Sequence, residues 1–501
     1  MVKVFLKHGR DESLRRFHPW VFSGAVAQVQ GSPAEGDIVG VYSAEGQLLA
    51  CGHWQVGSIA VRILSFDADP TAPDFWELSI RRALAVREAV GLFSGEAGLS
   101  EAATASGNRA TLGSVRGRGP SSDGRGPTQS DVSGGSWPLG EASPEPTTCF
   151  RLVHGEGDGL PGLIIDWYAG VCVLQAHSVG MWRAKGQICE ALKAVFGDAL
   201  KAVYDKSSGT APFKAGLDLI DGYLWRASGF NASEAVVLEN GRKFLVNWEE
   251  GQKTGFFLDQ RDNRELVGRY AAGRRVLNLF CYTGGFSIYA LTAGAVLVDS
   301  VDSSAKAISL VERNIQLNCA PGSGQLPPET SDCVGPLPSD DGPLPLTVPR
   351  VGPPEKHAFL GYPRVARFPG AVAASPELEV NNYCEDAIEY LKKIPEGKYD
   401  LIIVDPPAFA KHRGALKNAL RAYQRLNAAA VAKVAPGGLV FTFSCSQVVD
   451  KITFANTVFS AAAQTGRSVR ILDRLCQGAD HPVSIYHPEG EYLKGLLLYV
   501  E

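Results

Sequence analysis

The chain has no Cys-x-x-Cys pair, no apolar run approaching the ~20 residues a membrane helix needs, and no strong excess of either charge. Each absence excludes something. Ten cysteines without zinc spacing or a dense disulfide framework read as free thiols in a reducing compartment, with no metal site. The start, Met1-Val-Lys-Val-Phe-Leu-Lys-His-Gly-Arg, carries no signal-peptide apolar core. A cytoplasmic location with no membrane contact is therefore expected, an organelle being the alternative if a transit peptide once preceded it. A net charge of −4 excludes nucleic-acid binding by bulk positive charge, so any RNA contact must come from local patches. What is present is ordinary globular composition: 45% hydrophobic and 20% charged residues over 501 positions.

Residues 2–7, 21–29, 38–42, 48–54 and 60–64 are apolar or alternating, broken by Gly31-Ser-Pro, Glu35-Gly-Asp and Glu45-Gly-Gln. That pattern predicts a small β-barrel over 1–70. A helix is predicted over 75–90. Residues 93–147 are then dominated by Gly, Ser, Pro, Thr and Arg and read as a disordered insertion. Order resumes with strands beginning at Phe150, Gly162 and Val171, a helix over 182–196 and a strand over 202–204. Together these predict a small central α+β domain, 71–228, around that insertion. From 229 to 501 a hairpin with an Asn240-Gly241 turn precedes alternating strands and helices. Such alternation predicts an α/β, Rossmann-like sheet, interrupted by a low-complexity insertion at about 321–376.

Within that last domain, residues 276–280 form a predicted buried strand, Thr283-Gly284-Gly285 a tight turn, and Phe286 opens a helix. A strand, glycine turn and helix start let backbone approach a ligand closely. The next strand ends at Asp302-Ser303, 17 residues after Gly285, an offset at which an acid accepts from ribose hydroxyls. A dinucleotide-dependent oxidoreductase would need Gly-x-Gly-x-x-Gly. The Thr-Gly-Gly turn instead fits S-adenosylmethionine, which carries no pyrophosphate.

A second buried strand runs into Asp405-Pro406-Pro407-Ala-Phe409. Two prolines stiffen the chain and remove backbone donors, so a carboxylate is presented in a fixed direction. A third strand, 439–443, ends at Ser444-Cys445-Ser446 and brings Cys445 to the same edge. There a cysteine has a chemical use: a thiolate adding to carbon 6 of a pyrimidine makes carbon 5 nucleophilic. That role calls for a partly exposed cysteine of low pKa, with Asp405 hydrogen-bonding the ring.

Several long strings match one family: His18-Pro-Trp-Val-Phe-Ser-Gly, Gly157-Asp-Gly-Leu-Pro-Gly-Leu-Ile-Ile-Asp, Gln252-Lys-Thr-Gly-Phe-Phe-Leu-Asp-Gln-Arg-Asp-Asn-Arg, Asp405-Pro-Pro-Ala-Phe, Thr442-Phe-Ser-Cys-Ser, Ala479-Asp-His-Pro-Val and Pro488-Glu-Gly-Glu-Tyr-Leu-Lys-Gly. Through them the chain resembles the bacterial 23S ribosomal RNA cytosine-5 methyltransferases of the RlmI type. The resemblance implies an N-terminal PUA domain, a class I methyltransferase domain, large-subunit ribosomal RNA as partner, and a homodimer. It implies Cys445 and Asp405 as catalytic residues. Around the cofactor it implies Phe280, Tyr282, Thr283, Gly284, Gly285, Phe286, Asp302, Ser303, Asp386, Asp405, Pro406 and Gln260. For RNA it suggests Lys7, Arg15 and Arg16 on the barrel, with Lys253 and Arg261 at the domain entrance. Related guanine-N7 enzymes share the Asp-Pro-Pro strand but lack the Ser-Cys-Ser loop. The alternatives are thus another ribosomal RNA position with Cys445 structural, or a noncatalytic RNA-binding protein with a vestigial cofactor fold.

Overall fold

A computed structural model of the chain describes residues 1–92, 147–212, 216–319 and 378–501. The two low-complexity stretches, 93–147 and 321–376, lie outside the described residues except for Thr147.

The N-terminal strands form one six-stranded sheet in the order Trp20–Phe22, Ile59–Ser65, Leu48–Trp54, Ile38–Tyr42, Val2–Leu6, Val26–Gln30. The expected single strand over 21–29 is in fact two, split by the 3-10 turn Ser23–Ala25. The two pieces sit on opposite edges of the sheet, one pairing with Ile59–Ser65 and the other with Val2–Leu6. Three residues reach only about 10 Å, so the edges must approach each other and the sheet curls into a barrel. Val4, Leu6, Val39, Val41, Val61 and Ile63 fill its interior.

The second sheet runs Gly222–Arg226, Ala202–Asp205, Val171–Ala176, Leu163–Tyr168, Cys149–His154. Its period-2 alternation feeds two different cores. Cys172 and Leu174 face the helices Phe75–Ala89 and Val179–Phe196, packing with Ile80, Leu84, Ile188 and Leu192. Val171, Val173 and Tyr168 face the other way and pack with Phe244, Val246 and Trp248 of the following hairpin. Burial on both faces explains why Val171-Cys-Val-Leu reads as an unbroken apolar run. The second sheet therefore shares a core with the third. It is also tied to the barrel, since Trp20 Nε1 and Arg62 Nη1 both donate to Glu156 Oε1 at 2.9 Å.

Gly157, beside Glu156, marks a close approach. A Cβ there would lie 1.9 Å from the carbonyl oxygen of Pro482, in a loop of the third domain. Gly157→Ala is expected to cost about 1–3 kcal/mol by forcing that loop away. Its denaturation midpoint, measured against the parent chain, checks this, and an unchanged midpoint would refute the contact.

The hairpin Glu234–Glu239 and Arg242–Asn247 turns at Asn240 and Gly241, both at positive φ (46° and 76°), as a primed turn requires. The seven-stranded third sheet then follows in the order Glu379–Cys384, Leu297–Asp302, Arg275–Leu279, Tyr399–Val404, Val434–Ser444, Lys494–Val500, Val469–Leu475. Lys494–Val500 is its antiparallel member. The strand expected at 439 begins at Val434: Ala435-Pro-Gly-Gly is absorbed as a wide bulge, with Tyr399 opposite Val434 and Leu401 opposite Leu439. No helix among the described residues is long and apolar enough to cross a membrane.

Candidate active site

The winding reverses between Arg275–Leu279 and Tyr399–Val404, which pair directly although two strands of the sheet intervene in the chain order. Ligands of doubly wound sheets sit beyond the carboxyl ends of the strands at such a point. The loop leaving the first of these strands is strained. Phe280, Tyr282 and Gly284 all have positive φ, at 58°, 48° and 77°. For two non-glycine residues this costs free energy, and such strain persists only where the surroundings enforce it. Here Tyr282 N donates to Asp302 Oδ2 at 3.0 Å, Cys281 N to the Val301 carbonyl at 3.1 Å, and Asn314 Nδ2 to the Thr283 carbonyl at 2.9 Å. Gly284 is the N-cap of the helix Gly285–Thr292.

The predicted cofactor residues fall into three groups. Phe280, Tyr282, Thr283, Gly284 and Gly285 lie together in this loop, and Asp302, the last residue of the neighbouring strand Leu297–Asp302, keeps lone pairs free after accepting from Tyr282 N and Ser304 N. Ser303 is exposed at the same edge. Asp386 is exposed one strand further out, where its Oδ1 caps the helix Ala387–Lys393 by accepting from Ile388 N and Glu389 N. Phe286 departs from expectation: its ring is buried and stacks on Phe443 at 5.7 Å, so only its backbone can face a ligand.

Asp405 and Cys445 occupy the ends of neighbouring strands. Gln260 Nε2 donates to Asp405 Oδ2 at 3.0 Å and is itself oriented by Asn263, whose Nδ2 donates to Gln260 Oε1 at 2.6 Å. Pro406 is buried behind Asp405. Burial and the neighbouring Asp259 push the Asp405 carboxyl up to about 7, against the opposing hydrogen bond from Gln260. The serines flanking Cys445 point elsewhere: Ser444 Oγ donates to the Tyr423 hydroxyl at 3.0 Å, and Ser446 Oγ lies 3.1 Å from the same oxygen. They are anchors, and Cys445 between them stays half-buried. The expectation of a low thiol pKa is overturned. Burial, reinforced by Asp405, pushes Cys445 up to about 11, and Lys253 only partly offsets this. Two carboxyls and a thiol in a desolvated corner disfavour further negative charge.

Arg261 is a second correction. Expected at an RNA surface, it is 2% exposed and gives both terminal nitrogens to Asp480, at 3.0 and 2.9 Å. A guanidinium so enclosed cannot meet a phosphate. Lys253 is partly exposed, with Nζ 3.1 Å from Asp259 Oδ2. Lys7, Arg15 and Arg16 lie exposed on the barrel, where Arg15 pairs with Asp11 and Arg16 with Glu12. The structure does not bring those three to Cys445.

Sequence reasoning missed Asp259, Tyr492 and Lys494. Tyr492 donates to Asp259 Oδ2 at 2.6 Å. Lys494 Nζ donates to the carbonyls of Ser446 at 2.7 Å and Tyr492 at 2.6 Å, and burial lowers it to about 8. All three stand inside strings quoted above for the resemblance. No local spacing signals that they converge.

Comparison with known proteins bears on the domains and the family. Residues 4–66 match the model of a PUA-like domain, and residues 217–323 that of an S-adenosylmethionine-dependent methyltransferase. The crystal structure of SMU.776, a candidate methyltransferase complexed with SAH, superposes over the whole of both chains with a TM-score of 0.66 at 18% identity. A candidate SAM-dependent methyltransferase from Streptococcus mutans does so with a TM-score of 0.65. These two show the fold. The chain is 32% identical over 499 residues to Ribosomal RNA large subunit methyltransferase I of Aeromonas hydrophila, covering 99% of this chain and 98% of that one. It is 33% identical over 508 residues to the protein of the same name from Shewanella amazonensis, covering 100% and 99%. Identity of 32% and 33% over nearly the whole of both chains places this S-adenosylmethionine-dependent enzyme in the ribosomal RNA large subunit methyltransferase I family.

Proposed function

We propose that the protein methylates carbon 5 of a cytosine in large-subunit ribosomal RNA, with Cys445 as a covalent nucleophile. The observation that carries this reading is the placement of a half-buried thiol beside a carboxyl that burial holds at about 7. When bound, S-adenosylmethionine supplies the electrophilic methyl group that carbon 5 takes. The strained loop from Phe280 to Gly285, with Asp302 and Ser303 for the ribose and Asp386 toward the adenine, would hold it. The absence of a phosphate-spaced glycine pattern suits a cofactor without phosphates.

The chain's own groups then have these tasks. The target cytosine, swung out of its stack, sits between Asp405 and Cys445. Asp405 in its acid form delivers a proton to N3. That draws the electron pair of the 5,6 double bond toward carbon 4 and N3 as Cys445 Sγ bonds to carbon 6, and the thiol proton passes to Asp405. Carbon 5 is now nucleophilic. After methylation, the carbon 5 proton passes to solvent water, the 5,6 double bond re-forms and the Sγ–carbon 6 bond breaks; Asp405 hands the thiol proton back to the departing sulfur and takes back the proton from N3. A carboxyl near 7 is suited to both directions of transfer at neutral pH.

A second reading, methylation of another position such as guanine N7 with Cys445 structural, is favoured by the raised thiol. Incubating the chain with labelled S-adenosylmethionine and unmodified ribosomal RNA, then mapping the label, separates them. The expected product is 5-methylcytosine in the large-subunit RNA. Label on a purine would sink the cytosine assignment, and failure to bind S-adenosylmethionine by calorimetry would favour a vestigial cofactor fold.

A further inference from the structure

A cavity of about 1140 Å³ opens where barrel, central sheet and methyltransferase sheet meet. It exceeds the roughly 300–1,000 Å³ of ordinary small-ligand pockets. Its wall includes Lys253 and Lys494 but neither Cys445 nor Asp405, so it adjoins the catalytic edge without being part of it.

Its cationic groups are already paired, while the exposed carboxylate of Glu489 stands 3.9 Å from His487 Nε2. Arg62 donates to Glu156 at 2.9 Å, Arg151 donates to both oxygens of Asp166 at 2.7 and 2.9 Å, Lys253 lies 3.1 Å from Asp259, and Lys451 pairs with Glu491. Lys494 is committed to two carbonyls. A phosphate site would present free cations, and this wall presents them paired. Its open hydrogen-bonding groups are of another kind. His487 is 3% exposed, and neither of its ring nitrogens has a hydrogen-bond partner. Its ring lies 4.3 Å from that of Trp20, which also has the Arg62 guanidinium at 5.4 Å and the rings of His18 and Phe22 edge-on at 6.0 and 6.2 Å. His154 Nδ1 lies 3.3 Å from Arg151 Nη1. Arginine can only donate, so Nδ1 is the acceptor and the proton sits on Nε2. Burial keeps both imidazoles below their ordinary range, and for His154 the nearby His481 adds to the effect. They are uncharged, each able to offer one donor and one acceptor. His177 and Gln175 complete the same wall.

Uncharged imidazoles and an amide around a tryptophan match a heterocyclic base, not a phosphate. We infer that this cavity takes an unpaired nucleobase of the substrate RNA next to the target nucleotide, read on its polar edge by His487, His154 and His177 and packed against Trp20. This rests on RNA being the substrate, but not on which atom of it is methylated.

The test uses the full-length chain and short labelled homopolymeric RNAs of each of the four bases, with affinity measured by fluorescence anisotropy. His487→Phe keeps the ring and removes its nitrogens; His177→Ala alters an exposed position, and is read if His487→Phe loses S-adenosylmethionine binding. The preferred RNA is expected to lose about tenfold in affinity, in line with base contacts. The others should change by less than about twofold, with S-adenosylmethionine affinity unchanged. Equal loss for all four RNAs would mean backbone contact and overturn the inference, as would no loss for any. Neither readout requires methyl transfer, so a wrong cytosine-5 assignment would leave the result interpretable.

Discussion

Cys445→Ala is expected to lower methyl transfer by ~10³-fold or more while leaving S-adenosylmethionine affinity unchanged, because a covalent nucleophile has no substitute in its own step. The prediction is sharp because the surroundings isolate the thiol. Ser444 and Ser446 are held by Tyr423, so neither hydroxyl can turn to replace it. The raised pKa does not weaken the expectation. A thiol raised to about 11 stays protonated until the proposed addition, in which Asp405, raised to about 7, would take its proton. The covalent step can be read directly. RNA carrying 5-fluorocytosine at the target has no carbon 5 proton to lose, so it should remain bonded to the parent chain through denaturing electrophoresis and run free with Cys445→Ala. An adduct that survives the substitution, or an alanine variant that still makes 5-methylcytosine, would remove Cys445 from the mechanism.

Asp480→Ala should be the most damaging single change to stability. The carboxylate is fully buried and accepts from Arg261 twice, from Arg151 N at 3.0 Å and from the His481 ring at 2.9 Å, while Arg87 donates to its backbone carbonyl at 2.7 Å. Truncation leaves Arg261 buried with only the half-exposed Asp262, 3.5 Å from its Nε, as counter-charge, and breaking such a buried pair typically costs about 3–5 kcal/mol. The pH dependence has a definite sign. Burial alone would raise this carboxyl, but Arg261 and His481 outweigh it and hold it well below its ordinary range. A depressed carboxyl contributes stability that is present above its unfolded value, near ~3.9, and is lost as pH falls through the folded one. Denaturant unfolding of the parent and variant at neutral and acid pH measures both effects. A loss under about 1 kcal/mol at neutral pH would show that the pair is not holding the domains together.

What could be read in the sequence followed from local rules. The parallel winding, the carboxyl-edge position of Asp405 and Cys445 and the Asn240-Gly241 turn each depend on a few adjacent residues and a sheet period. What could not be read depended on partners far away in the chain. Arg261 looked like a surface cation because its acceptor lies 219 positions on. The thiol pKa was misjudged for the same reason: Asp259 and Asp405 crowd Cys445 only after folding. Phe286 follows a glycine turn and so resembled a ligand contact, yet it belongs to the core beside Phe443. The apparent break at Ala435-Pro-Gly-Gly became a bulge because the flanking strand found its register again at Leu439.

The central sheet, buried on both faces, gives the molecule an unusual mechanical character. One face is fused into the methyltransferase core, and the neighbouring turn at Glu156 grips the barrel through Trp20 and Arg62. The first strand of the barrel and the thiol of Cys445 therefore belong to one stiff frame, not to beads on a string. Under the proposed function, an RNA that touched both the barrel and Cys445 would have to span a separation that the protein, not the RNA, sets.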